Sequence, residues 1–239
     1  MARARSQATL ERLQEAALDV LARQGFAEAR VGEIARRAGV AHGTVYGYAD
    51  GKEALLLLAL SGGALPALDR LPLPRPSAGA LRRAGEARAT ALHACPPLDA
   101  ALARSEVVDG IGELVGILAD HYDTARRGAG ELALLERSAE AFPSLARALA
   151  DARRDLRARM QGYLESRVPL GWIEPLPDPA IAARSVLSAI GACARRNHDD
   201  PDETFRPEAL ARETVVSWAA RGLLVPQTTE GPSGDGPVH

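Results

Sequence analysis

Cysteine is nearly absent. Cys95 and Cys193 are the only two in 239 residues, too few and too far apart for a disulfide framework or a C-x-x-C metal site. The reducing cytosol is therefore the expected compartment, and both thiols read as small buried hydrophobes. An excess of either charge is missing too: 29 basic against 31 acidic residues give a formal net charge of −2. That balance excludes a polycation holding nucleic acid or anionic membrane by bulk charge, so any polyanion must be met locally. Long apolar runs are lacking. The longest uncharged stretch, residues 54–68, is broken by Gly62, Gly63 and Pro66 and falls short of the ~18 residues a membrane span needs, so no membrane partner is expected. The N-terminus starts basic, but Glu11, Glu15 and Asp19 interrupt any apolar core of an export signal. Lysine is reduced to one residue, Lys52, against 28 arginines, a bias that GC-rich codons would produce.

What is present is alanine, 47 residues of it, within a chain 46% hydrophobic and 25% charged. This is the composition of a globular protein with a sizeable core. Sustained apolar/polar alternation is almost missing and good helix formers dominate, which predicts an all-α fold. Residues 7–23 place Leu10, Leu13, Ala17, Val20 and Leu21 on one face ahead of Gly25. A short helix follows, with Val31, Ile34, Ala35 and Ala38 at i, i+3, i+4, i+7 ahead of Gly39, and a third fits between Ala41 and Tyr48. Asp50 and Glu53 look like a capping box for a fourth, running toward Leu68. Leu71-Pro72-Leu73-Pro74-Arg75-Pro76 forbids helix and reads as a turn within a second domain. Further periodic stretches cover 77–94, 98–127, 130–141, 144–168, 179–197 and 207–221. The segment 226–239 has almost nothing to bury and is expected to be disordered.

Two short helices around Ala38-Gly39-Val40, after a longer one and before a fourth, form a helix-turn-helix pattern with an apolar underside. Val45 continues the inner face, while His42, Thr44, Tyr46 and Tyr48 carry groups able to reach phosphates or base edges, and Gly43 and Gly47 permit close approach. On spacing alone the tyrosines could equally be half-buried. Arg36 and Arg37 read as a solvated face, and Arg3 and Arg5 as either a basic arm or a frayed end. Residues 1–53 hold eight basic and seven acidic side chains, so affinity must rest on a few placed contacts and on dimerisation.

Residues 25–55, GFAEARVGEIARRAGVAHGTVYGYADGKEAL, resemble the signature of the TetR family of bacterial transcriptional regulators through the blocks I-A-x-x-A-G-V, G-T-[LV]-Y-x-Y and K-E-x-L. The resemblance covers about residues 7–56. It implies a DNA-binding domain at 1–53 and a helical effector-binding and dimerisation domain at 54–225, in a homodimer that leaves its two-fold operator when a small molecule enters. It places Ala41, His42, Gly43, Thr44, Tyr46, Gly47 and Tyr48 at the double-stranded DNA and Lys52 on a phosphate. If the lone lysine could fall on any of 29 basic positions, its landing there is a one-in-29 coincidence. Where the family usually has Ser or Thr before the second and third helices, this chain has Arg30 (or Ala29) and Ala41. Arg30 is a substitute phosphate contact in this reading. Ala49 replaces an aromatic, and Gly47 a larger side chain, which implies looser packing under the recognition helix and one base contact fewer.

Beyond the fourth helix no catalytic constellation, metal motif or phosphate loop occurs, and no enzyme activity, metal or cofactor is expected. His121, Tyr122, Met160, Tyr163 and Trp172 are pocket candidates, each of a kind more often found in a core, and the surrounding Ala, Leu, Val and Ile favour an apolar or aromatic effector. Small residues on 179–196, among them Ala182, Ser185, Ala189 and Ala192, permit close helix approach and, with 144–168, resemble the family's dimerising pair; intramolecular packing of the same helices is the alternative. A helical small-molecule-binding protein without operator affinity, or an all-α hydrolase or oxygenase, remains the competing function at this point.

Overall fold

A computed structural model describes residues 6–196 and 207–226. Arg3 and Arg5, and the segment beyond Pro226, lie outside it. The described residues form eleven α-helices, two isolated β-bridges and no strand, which is the all-α class the composition dictates.

Helix α1 (Gln7–Glu28) starts where the Ser6 hydroxyl accepts from the Thr9 N–H at 3.3 Å. It carries on past the expected end, turning at Gly25, whose φ of +78° suits only glycine and whose Hα side lies against the Arg137 carbonyl. α2 (Val31–Arg37) and α3 (His42–Val45) follow. α4 (Lys52–Leu60) begins after Gly51 without any side-chain cap, so the expected Asp50 cap is not made. It ends well short of Leu68, because Gly62 and Gly63 both turn to positive φ. α5 (Ala78–Leu92) is capped by Ser77. The expected single helix over 98–127 is two, α6 (Pro96–Leu102) and α7 (Gly110–Arg127), since the Asp109 carboxylate accepts from the Gly112 N–H at 2.8 Å and starts a new helix. α8 (Ala129–Ser138), α9 (Pro143–Arg167), α10 (Pro179–Arg196) and α11 (Glu208–Arg221) complete the chain, α10 opening with Asp178 accepting from Ile181 N–H at 2.9 Å.

Two hydrophobic cores result. The first joins α1 to α5, α8 and the first half of α9; the second joins α6, α7, the second half of α9, α10 and α11. At 1.5 Å per residue α9 is about 37 Å long, enough to enter both. The cores thus do not divide at the expected 53/54 boundary. The proline-rich segment departs from expectation as well: Leu73 N–H donates to Tyr48 O and Asp50 N–H to Leu73 O, both at 2.8 Å, Leu71 is buried in the first core, and Arg75 pairs with Glu53. Its prolines keep it extended, and it forms a strap across the helix-turn-helix instead of a turn in a second domain. Ala49, where an aromatic was missed, is fully buried and bridges to Leu73.

Candidate nucleic-acid interface and interior cavity

Ile34, Ala35 and Ala38 of the α2 segment and Val45 of α3 are buried, and Gly39, at φ +66°, makes the turn between them. With that underside fixed, α3 presents its other side to solvent. Ala41, His42 and Gly43 are exposed and Thr44 and Gly47 half-buried. Tyr46 is 47% exposed, its ring edge-on to that of His42 with centroids 5.4 Å apart. Arg30 is exposed at the start of α2, where it makes no side-chain cap, and Ala41 makes none for α3. Arg37 binds Asp19 at 2.7 Å, tying α2 to α1.

Two predicted contact residues stand elsewhere. Tyr48 is only 4% exposed: two positions after Tyr46 the chain has left the helix, and the ring turns into the core while its hydroxyl accepts from Ser6 N–H at 2.8 Å. It is a core residue, not one that faces DNA. Tyr48→Phe is accordingly expected to leave DNA affinity unchanged and to cost at most about 1 kcal/mol, a fall of ~2–4 °C in a thermal melt. Lys52 donates to the carbonyls of Phe26, Ala27 and Ala29 at 2.5, 3.1 and 2.9 Å, with its ammonium 4.4 Å from the Phe26 ring centroid. All three donor directions of the ammonium are thus engaged within the domain. A phosphate could be met only by giving one up, so the structure makes Lys52 a clamp on the end of α1 beyond Gly25.

In the helical body a cavity of about 300 Å³ opens between α5, α7, α8, α9 and α10, at the seam between the two cores. Leu92, Leu132, Leu156 and Leu187 form its apolar wall, and Arg153, Arg157, Arg195, His93 and His121 its polar one. Of the five pocket candidates only His121 lines it. Tyr122, Met160 and Tyr163 are buried in the second core, and Trp172 packs its ring onto Gly110 at the start of α7. Burial holds both His93 and His121 below the ordinary histidine value, and nearby arginines add to the effect. His93 Nδ1 lies 2.8 Å from Ala89 O and His121 Nε2 3.1 Å from Leu187 O. A carbonyl only accepts, so these nitrogens carry protons. The three arginines were not singled out from the sequence: Arg153 and Arg157 at i, i+4 look like the solvated face of α9. Burial pushes the Cys95 thiol up to about 12, keeping it protonated. Among the described residues no cluster of His, Cys, Asp or Glu could hold a metal ion, and no helix is long and apolar enough to cross a membrane.

Of the small residues expected at a dimer interface, Ser185 is exposed and Ala182, Ala189 and Ala192 are half-buried, while α10 turns Ala183, Val186, Leu187, Ile190 and Ala194 inward. The expected partner, α9, packs on α5, α6, α8 and α10 and keeps an exposed face at Arg147, Ala150, Asp151, Arg154, Asp155 and Ala158. Large exposed apolar side chains on α10 and α11 are Ile181, Leu210 and Trp218, and others stand at Leu102, Val108, Val115 and Leu170.

Residues 13–59 match the family model described as bacterial regulatory proteins, tetR family. No curated protein sequence matches the chain. Among solved structures, the chain is similar to the ketosteroid transcriptional regulator KstR2 of Mycobacterium tuberculosis, at 14% identity over 95% of this chain and 100% of that one, with a TM-score of 0.60. It is similar also to a tetR-family regulatory protein from Rhodococcus RHA1 (19% identity, 91% and 97% covered, TM-score 0.56) and to the TetR-family regulator PfmR from Thermus thermophilus (19%, 87% and 97%, TM-score 0.53). At these identities the likeness establishes the fold.

Proposed function

We propose, from the tetR-family N-terminal domain that this chain carries on the fold of TetR-family regulators, that it is a ligand-responsive transcriptional repressor. It acts in the cytoplasm as a homodimer, binds operator DNA through α3, and is released when a small molecule fills the cavity. The observation that carries this reading is the outward pair His42 and Tyr46 on a helix whose underside is fully buried, the arrangement a recognition helix needs to enter a major groove. Arg30 and the exposed amides at the start of α3 are the nearby groups for phosphate. Neither the family nor the fold is enzymatic in character, and catalysis plays no part in the proposal.

Two elements reach from the cavity to the helix-turn-helix. α8, which contributes Leu132 to the wall, packs on α1, and α5, which contributes Leu92 and leads into His93, packs on α4. An effector that favours one arrangement of α8 and α5 over another shifts the DNA-binding equilibrium by its difference in affinity for the two. For the dimer, the exposed apolar side chains of α10 and α11 are the contact surface.

Mobility shift on the intergenic DNA beside its own gene, at two salt concentrations, tests the reading. A specific shift that weakens with salt is expected. No specific shift at low salt would overturn it in favour of a ligand-binding protein without operator affinity, an outcome that the uncapped α2 and α3 would explain. Tyr46→Ala should weaken specific binding about tenfold with an unchanged melting temperature, because the ring is largely outside the core.

A further inference from the structure

The effector expected from sequence was apolar or aromatic, yet three guanidinium groups line the cavity. Arg153 and Arg195, from α9 and α10, both bind one carboxylate, that of Glu136 on α8; the Arg195 contact measures 3.3 Å. Among the described residues Arg157 has no hydrogen-bond or ion-pair partner, and it lines the cavity half-buried. No carboxylate lines the cavity: Glu136, which pairs with Arg153 and Arg195, and Asp120, beside His121 on α7, both lie outside its lining. His93 and His121, each donating to a backbone carbonyl, bring no negative charge to it. The same lining includes Leu92, Leu156 and Leu187, which have no polar atom to offer in the side chain. An uncompensated guanidinium at the edge of an apolar space is satisfied best by an anion attached to an apolar body.

We propose that the cavity binds an aliphatic carboxylate, with the head group on Arg157 and the chain against the leucines. This rests on the cavity being the effector site. A void of 300 Å³, at roughly 30 Å³ of liquid volume per water-sized group, holds on the order of ten heavy atoms, the size of octanoate. The same geometry supplies the regulatory step. Glu136 links α8 to α9 and α10 through Arg153 and Arg195, and an incoming carboxylate competes for those guanidiniums. Where it wins, α8 loses its ionic tie to α9 and α10 and keeps the one to α5, between Glu131 and Arg88, and α8 is the helix on which α1 rests.

Calorimetric titration of the full-length protein, without DNA, with octanoate and with 1-octanol separates head group from body. Octanoate is expected to bind at least tenfold more tightly than octanol, by a margin that shrinks with added salt, and inorganic phosphate alone to bind at least tenfold more weakly than octanoate. Arg157→Gln should cut octanoate affinity at least fivefold and leave octanol unchanged. Glu136→Gln, which frees two guanidiniums, should raise octanoate affinity, an opposite sign that a variant merely losing its fold cannot produce. Equal affinities for acid and alcohol, no binding of either at millimolar concentration, phosphate binding as tightly as octanoate, or an Arg157→Gln variant that binds octanoate as the parent does would each overturn the proposal. These titrations contain no DNA, so a failure of operator binding shows separately, in the mobility shift.

Discussion

Lys52→Met should lower the stability of the protein by about 2 kcal/mol, seen as a fall of ~4–8 °C in melting temperature, while leaving the salt dependence of DNA binding unaltered. Methionine keeps the length and apolar stem of the side chain and removes the ammonium. The carbonyls of Phe26, Ala27 and Ala29 then lose a charged donor, and the Phe26 ring loses a cation worth roughly 0.5–1 kcal/mol at a partly exposed site. The segment they belong to positions α2, and Phe26 also meets the Phe142 ring edge-on at 4.7 Å, so the loosening reaches the start of α9. Each phosphate contact contributes about 0.9 to the slope of log affinity against log salt. A variant with an intact melting temperature and a slope smaller by about one unit would show instead that Lys52 holds a phosphate.

The second large effect belongs to α11. Trp218→Glu is expected to convert the protein from dimer to monomer in gel filtration and to weaken operator binding by at least about a hundredfold. Trp218 is 63% exposed, so the substitution removes little from the fold of one protomer, whereas aromatic residues of this kind dominate the energy of protein interfaces. Two linked recognition helices gain about 10²–10⁴ in avidity over one, and a monomer forgoes that gain. An unshifted elution volume would place the interface on another surface.

The buried side of the helix-turn-helix was legible in the sequence because it depends on local periodicity: Ile34, Ala35, Ala38 and Val45 repeat at helical spacing and are all buried. So were the unfilled caps at Arg30 and Ala41, since a cap is a property of one side chain and its own helix. Tyr46 and Tyr48 differ by two residues and look alike in sequence. What separates them is the end of α3 after Val45, which sends one ring outward and the other toward Ser6. Lys52 was singled out by its rarity, but nothing near it in sequence says that its partners lie 23 to 26 positions upstream. The arginines of the cavity were hidden for the same reason: Arg153 and Arg157 on α9 meet Arg195 on α10 only through tertiary packing, and a helical wheel assigns them to solvent.

The proline strap has a bearing on modular engineering. The family model matches 13–59, and a graft onto another protein made at that limit would leave Tyr48 O and Asp50 N–H without their partners from Leu73, and Glu53 without Arg75. It would also uncover the place that Leu71 fills in the first core. A transplanted helix-turn-helix segment of this chain therefore has to run at least to Pro76, and even there it leaves behind the side chains of α5, α8 and α9 that complete the first core.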